Sequence, residues 1–583
     1  MSNLKKKNAI AVKEIDKFQG IDMRSPGDGE GKVKSMVNYR ILPDGSLRKR
    51  GGLKFIRCID EEIRAFWTGY ENDEFAAYVV AGSHLYRLRY DENGEYIGLK
   101  VMGKLKSSSG PASIFFYRGY FYVIDGVQIY VVKGNVYTAT GYAPLFGKDW
   151  PTGVVGEEYE PINLLTKSVR ISYVVTDPPN IFLCTKYPVS SIEAVYVNGE
   201  LMHESEYQID NTLNTINISL LNPGDRVLAY FTFSNPYGSA DGLKKTNHAV
   251  TFGGINSSRI FAWSENSNNI FCSKFVSEAS LRESERVYTG AGALYFPANY
   301  DFCVGDGSKS IKGVSRHYDR LLIFTEGEAW MADSESCGIE DQPVMRINAL
   351  SGAASVGGIA RCENDPVSVD KGAVLRWNSN TDELDDCNAY SISEQVKGLL
   401  PEDFFENAVA IEDKFHNEIL FAKKGDDEGR VYVYEEKNGN WYTYDLIGID
   451  GFYRGKNSIG VYKGADIYIF DDSLNVDIDL NGTEKQIKAS LSTYPMDFEM
   501  PHHKKRIGEV RMLADTDGEE IKVSFTTDKG FTRDIVFGGE DTEYVESYEK
   551  RVNSERFVRT SMEISTDAVE KQRIYKMDIT VKN

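Results

Sequence analysis

Short apolar runs punctuated by glycine-centred turns recur along most of the chain. Tyr78-Val-Val-Ala-Gly82-Ser-His-Leu85-Tyr86-Arg-Leu88 is echoed, 44 residues later and without a gap, by Tyr122-Val-Ile-Asp-Gly126-Val-Gln-Ile129-Tyr130-Val-Val132. Each reads as strand, tight turn, strand. Related hairpins are predicted at 260–272, 321–331, 419–434 and 459–470. One such sheet cannot bury both its faces alone, whereas radial stacking buries them and leaves only short edges. A period near 44 with four strands per unit is the spacing of propeller blades, and roughly five to seven of them are expected in 55–150 and 246–486. Unrelated meanders in a sandwich are the alternative.

The period breaks at 151–245. There Ala194-Val-Tyr-Val-Asn198-Gly199 runs into an Asn-Gly hairpin turn, followed by Asn214-Thr-Ile-Asn-Ile-Ser-Leu220, a Pro223-Gly-Asp225 turn and Val227–Phe233. This spacing predicts a small β-sandwich inserted between blades. Beyond Pro495 and Pro501, three largely alternating segments beginning at Ile507, Glu520 and Ile574 predict a separate antiparallel β-sandwich over 487–583. No segment holds a helical period for more than about two turns. The expected fold is all-β: a basic extended arm (1–54), blades, an inserted sandwich, further blades, and a terminal sandwich.

Composition supports sheet structure, with 35 Tyr and 29 Phe among 583 residues and only 17 Pro. The net charge of −20 is unevenly spread, for residues 1–57 hold 14 Lys/Arg against 6 Asp/Glu and the remainder 53 against 81. So acidic a body repels phosphate backbones, which argues against tight nucleic-acid binding while permitting DNA to pass. No apolar run reaches the roughly 18 residues of a membrane span. The basic start is followed only by Ala9-Ile-Ala-Val12, too short for a signal-peptide core. Seven scattered cysteines without a CxxC pair read as free thiols made in a reducing compartment.

Candidate chemistry is sparse. The chain has no GxSxG elbow, no HExxH and no phosphate-binding loop, for Gly305-Asp-Gly-Ser-Lys-Ser310 lacks the required spacing and reads as a turn. Asp477-Ile-Asp479-Leu-Asn481-Gly482 matches the first half of a calcium loop, but Lys488 stands where a bidentate Glu belongs. Thr526-Thr-Asp528-Lys-Gly530-Phe-Thr532 resembles the Asp-box turn of sialidases, with Arg533 in place of the usual aromatic residue. The acidic clusters 382–386 and 426–428 read as solvated loops, and His502-His503-Lys-Lys-Arg506 as a basic linker. No catalytic residue, metal or cofactor is assigned.

The opening of the chain is more informative. It runs Phe18-Gln-Gly20-Ile-Asp22-Met-Arg24-Ser25-Pro26, then Asn38, then Leu42-Pro-Asp-Gly45-Ser-Leu47-Arg48-Lys49-Arg50-Gly51-Gly52. This resembles the opening of bacteriophage short-tail nozzle, or tail-tube hub, proteins (tail tubular protein B-like). They often begin with a Gly-Gly-hydrophobic-Asp-x-x-x-Ser-Pro phrase, then an Asn, then Gly-x-Leu-x-x-Arg-Pro-Gly. Here Gln19 replaces a Gly, Gly51 replaces the Pro, and only two residues separate Asp22 from Ser25. The likeness covers about forty residues, and the order of parts that follows is similar too.

The resemblance implies a non-enzymatic virion protein, made in the host cytoplasm and assembled in the tail as a homo-oligomeric ring, a hexamer by the same likeness. Its neighbours would be an adaptor or portal on one side and a plug or fibres on the other. DNA would leave through its acidic channel without being bound. The alternative is a carbohydrate-active propeller, glycosidase or lectin, which needs a carboxylate pair or an exposed aromatic platform at one mouth; a third is an assembly or adhesion scaffold. Arg48, Lys49 and Arg50 are expected to contact an adjacent tail component or subunit. The arm, poor in apolar residues, is expected to order only against a neighbour.

Overall fold

The repeated hairpins become the middle strands of four-stranded antiparallel sheets. In a computed structural model, residues 10–24, 31–71, 73–176, 181–183, 187–210, 212, 215–234, 240–253, 259–277, 294–333, 344–378, 388–539, 545–552, 554–569 and 572–582 are described. Blade 1 is built from Ile63–Glu71, Glu74–Ala81, His84–Tyr90 and Tyr96–Lys104, and blade 2 from Ser113–Tyr117, Tyr120–Ile124, Ile129–Val132 and Val136–Thr138. Blades 3 to 6 span 248–303, 311–348, 359–391 and 408–445. Blade 7 takes three strands from 451–471 and its fourth, Gly52–Cys58, from near the other end of the chain.

Middle strands read as continuous apolar runs because both of their faces are covered by adjacent blades. Tyr78, Val80 and Leu85 of blade 1 pack on Phe121, Val123 and Tyr130 of blade 2. Tyr122 and Ile124 face Ile260 and Phe271 of blade 3, whose Phe261 and Ile270 face Leu321 and Ile323 of blade 4. Leu322 and Phe324 meet Leu375 and Trp377 of blade 5. The circle closes where Val79 and Leu88 of blade 1 meet Tyr453 and Ile467 of blade 7. Among the described residues, with blade 5 against blade 6 and blade 6 against blade 7, the seven sheets follow one another in cyclic order in an all-β fold. The turn at Gly82 requires its glycine: φ is +46°, and a Cβ there would lie 1.7 Å from a carboxylate oxygen of Glu61.

The insertion leaves after blade 2 and returns before blade 3. A five-stranded sheet (145–151, 168–174, 226–233, 189–197, 200–201) covers a three-stranded one (181–183, 215–218, 207–210), with Val169, Ile171, Val195, Ile216, Ala229 and Phe231 between them. It begins a few residues before 151, because Leu145–Pro151 pairs in parallel with Ser168–Val174.

The ends of the chain depart from expectation. The described residues of 10–54 are not a separate arm. Ile10–Ile15 pairs with Arg573–Lys582, and the hairpin Tyr39–Ile41/Leu47–Lys49 joins the same sheet. Ser35–Val37 lies between blade 6's outer strand and Ala489–Ser492, so blade 6 continues into a nine-stranded sheet that forms one face of the terminal sandwich. The terminal sandwich is therefore not a separate unit. Its core is continuous with that of blades 5 to 7, through Met36, Tyr39, Leu47, Leu491, Val510, Ile564 and Ile579. Strand pairing supplied the apolar cover that the arm lacks on its own. Among the described residues no helix is long and apolar enough to cross a membrane.

Candidate functional site

Several polar side chains hold the described part of the segment that carries the nozzle-like phrase. Asp22 is buried, and its carboxylate accepts hydrogen bonds from Arg24 Nε (3.1 Å) and Nη2 (2.9 Å), from the Arg24 amide (3.0 Å) and from Lys32 Nζ (2.7 Å). The Arg24 guanidinium, with help from Lys32, holds that carboxyl well below the usual carboxylate range. Asn38 adopts φ +58°, its Nδ2 donates to Lys488 O (2.7 Å), and its Oδ1 accepts from Arg50 Nε and the Asp445 amide, both at 2.9 Å. One side chain thus ties the arm to blade 6 and to the terminal sandwich.

The basic cluster points inward. Lys49 is 1 % exposed and Arg50 2 %. Lys49 Nζ donates to Ala568 O of the terminal sandwich at 2.5 Å. Arg50 grips both oxygens of Asp477 (2.8 and 2.7 Å) and donates to Gly51 O and Asp445 O. These two residues have partners within the chain, which corrects the expectation that they meet a neighbour. Buried cations are stable only when paired, and Asp477, Asp445 O and Ala568 O, three of the groups that pair them, lie at least 395 residues away in sequence. Arg48 alone is partly exposed, with Nη2 3.8 Å from Asp472. Gly52 is required beside them, since a Cβ would come 2.0 Å from Val476 O.

Beneath this seam lies a second buried network. Arg40 Nε is 2.8 Å from Glu418 Oε1, and Tyr442 donates to the same carboxylate at 2.7 Å. Burial works against both charges and lifts the Glu418 carboxyl, while Glu418 keeps Arg40 firmly protonated. In the turn after blade 6's first strand, His416 bridges two carboxylates: Nδ1 faces Asp413 and Nε2 faces Asp472, each at 2.7 Å. Despite the opposing effect of burial, these hydrogen bonds push His416 up to about 9. Asp472 is driven below the usual range, its burial outweighed by His416 and Arg40. A cavity of about 190 Å³ opens beside them, lined by Arg40, His416, Tyr444, Asn457, Ser458 and Asp472 among others.

Among the described residues, Asp413, His416 and Glu418 are the group close enough together to share a metal ion. The donor set fits one poorly. Both imidazole nitrogens face carboxylates as donors, and Arg40 already occupies Glu418, so two protonated side chains supply the positive charge a metal would bring.

No protein-family model matches the chain, and no curated protein does. Among solved structures it is similar to PorZ, a bacterial surface component of the type-IX secretion system of Porphyromonas gingivalis, at 8 % identity and a TM-score of 0.35 over 89 % of this chain. The chain spans 49 % of that protein's length. It is also similar to the AfRom2 CNH domain, at 6 % identity and a TM-score of 0.35, covering 72 % of this chain and 99 % of that one. Both likenesses are too distant to assign a family or a function.

The remaining sequence candidates serve as turns or ion pairs. Asp477 belongs to Arg50, and Asp479 Oδ1 accepts the amides of Asn481 and Thr483, so the calcium-like acceptors do not converge. Asp528, in the Asp-box-like turn, accepts the Val558 amide at 3.2 Å and ties that turn to the segment leading into Thr560–Thr566. Asp306 caps its own loop through Ser308, and Asp427 pairs with Lys463. In the basic linker, Lys505 is buried and donates to the carbonyls of Met500, His503 and Val558. The 382–386 cluster, Ser25 and Pro26, and Cys184, Cys337 and Cys387 lie outside the described residues; Cys58, Cys272, Cys303 and Cys362 form no disulfide among the described residues. Sequence reading missed Arg40, His416, Glu418 and Asp472. The turn Asp413-Lys-Phe-His416-Asn-Glu418 was the one local signal of that network.

Proposed function

We propose that the chain is a structural, non-enzymatic ring subunit of a bacteriophage short tail, forming the channel through which DNA leaves the virion. The observation that carries this reading is the 18–52 phrase. Of the residues that resemble the nozzle proteins, Asn38 and Gly52 tie the segment to blades 6 and 7 and the terminal sandwich, while Asp22 braces the segment itself through Arg24 and Lys32. A phrase with that architectural role, followed by blades, an inserted sandwich and further blades, fits a subunit that must stay rigid under the load of a passing genome.

The mechanism is geometric and electrostatic. Copies surround a lumen, and the acidic surplus outside the first 57 residues repels phosphates, so DNA slides without sticking. A closed ring needs a head-to-tail interface. Of the basic cluster, Arg48 is left to face a neighbouring ring, and the adaptor or portal and the plug or fibres would engage other surfaces. Electron microscopy of the purified chain, alone and on tail particles, tests this: closed rings around a channel support it, and a chain that stays monomeric in both settings overturns it.

A further inference from the structure

Blade 1 carries a row of aromatic rings across one end of its sheet. Tyr70 and Phe75 are directly paired on its first two strands, and Tyr90 and Tyr96 on its last two. Neighbouring ring centroids are 6.0, 5.2 and 6.3 Å apart, each pair nearly edge-to-face. At the inner end Tyr70 is 63 % exposed. At the outer end Tyr90 and Tyr96 form one wall of a cavity of about 270 Å³ between blades 1 and 7, far more than the roughly 30 Å³ share of one liquid water.

The charged groups around that cavity already have hydrogen-bond partners. Lys54 meets Glu95 at 3.2 Å, and Lys456 donates to Glu92 O at 2.5 Å. Asp471 accepts the amide and hydroxyl of Ser473, and Asp472 is held by His416. The uncharged side chains are not paired: among the described residues, the side-chain amides of Asn93 and Asn457 and the hydroxyl of Ser458 hydrogen-bond to nothing in the chain. The opening therefore offers aromatic surface, two side-chain amides and a hydroxyl without partners in the chain, beside charged groups that are already engaged in hydrogen bonds.

We propose that this cavity and the aromatic row leading to it form a binding site for a neutral carbohydrate chain. A sugar ring presents an apolar C–H face, which suits an exposed tyrosine, and an edge of hydroxyls that both donate and accept, which suits amides and a serine. The row extends from the cavity over the width of the blade, so several sugar units would be engaged, one in the cavity and the others along the rings. This site is independent of the ring-subunit reading, since a monomer carries all of it.

Saturation-transfer NMR on the full chain tests the proposal, with six-unit oligomers of glucose, galactose and N-acetylglucosamine as probes and an anionic oligosaccharide, oligogalacturonate, as control. Transfer to at least one neutral oligomer is expected, with affinity falling about tenfold or more in Tyr70→Ala and in Asn457→Ala, both exposed positions that the fold tolerates. No transfer to any neutral probe, affinity unchanged in both variants, or preference for the anionic control would each overturn it. Ring formation by electron microscopy is indifferent to all of these outcomes, so the two readings fail separately.

Discussion

Arg50 closes a two-pronged ion pair on Asp477, 2.8 and 2.7 Å from its two oxygens, across 427 residues of sequence. The pair joins the end of the arm to the hairpin that follows blade 7. Removing the cation takes from Asp477 its counter-charge, leaving it the Leu53 amide as donor, and takes a donor from Asn38 Oδ1 and from two carbonyls. Arg50→Ala is expected to cost about 3–5 kcal/mol in urea unfolding. Reversing all three charges at 48–50 should therefore abolish folding rather than only weaken assembly, because Lys49 and Arg50 are buried.

Asn38 combines a left-handed backbone with three side-chain hydrogen bonds. Asn38→Gly keeps the conformation and loses the bonds, for about 2–3 kcal/mol. Asn38→Ala adds the strain of a Cβ at positive φ, about 1 kcal/mol more. Chemical denaturation of the two variants should show that order; equal losses would mean the backbone conformation is without energetic weight.

His416 makes the seam sensitive to alkali. Its folded-state value is raised to about 9 from 6.5, so its contribution is complete below about pH 6.5 and is lost as pH rises through 9. Asp472 is shifted the other way, so its contribution is present above 3.8 and fades in acid. Stability measured against pH should fall by about 3 kcal/mol between pH 6.5 and 9.5 from this histidine. His416→Gln should flatten that limb, and an unchanged limb would assign it to other groups.

Glu436 behaves in the opposite sense. Burial lifts its carboxyl to about 7, helped by Glu412 and opposed by Cys362, and its Oε1 has no hydrogen-bond partner. The folded state favours the protonated acid, so stability declines as pH rises from about 4.5 to 7 and stays reduced above. Glu436→Gln is expected to raise stability by about 1–2 kcal/mol at pH 8 and to change little at pH 4. Thermal unfolding at the two pH values reads the difference directly.

The blades were legible in sequence because their middle strands are local: two runs and a glycine turn, such as 78–88 and 122–132, declare themselves within a dozen residues. Blade 5 was not singled out, since its hairpin around Gly372 begins with Asp365-Pro366 and one outer strand is only Ala389–Ser391. The arm was read as loose for a physical reason. Three-residue strands such as Ser35–Val37 carry no period, and their partners lie hundreds of residues away. Charge misled in the same place. Lys49 and Arg50 look solvated in a basic stretch, and only the distant carbonyls and Asp477 that surround them make burial possible. The His416 network was hidden likewise, because Arg40 and Asp472 are remote from it in sequence and nearby only in the fold.

The central claim is that the segment carrying the nozzle-like phrase is built into the blades and the terminal sandwich. Hydrogen exchange of the amides in 35–53, followed by mass spectrometry on the isolated chain, tests it most directly. Protection matching that of blade 6, with joint loss in Arg50→Ala, is the expected result. Exchange as fast as an unstructured peptide, while the blades stay protected, would contradict it.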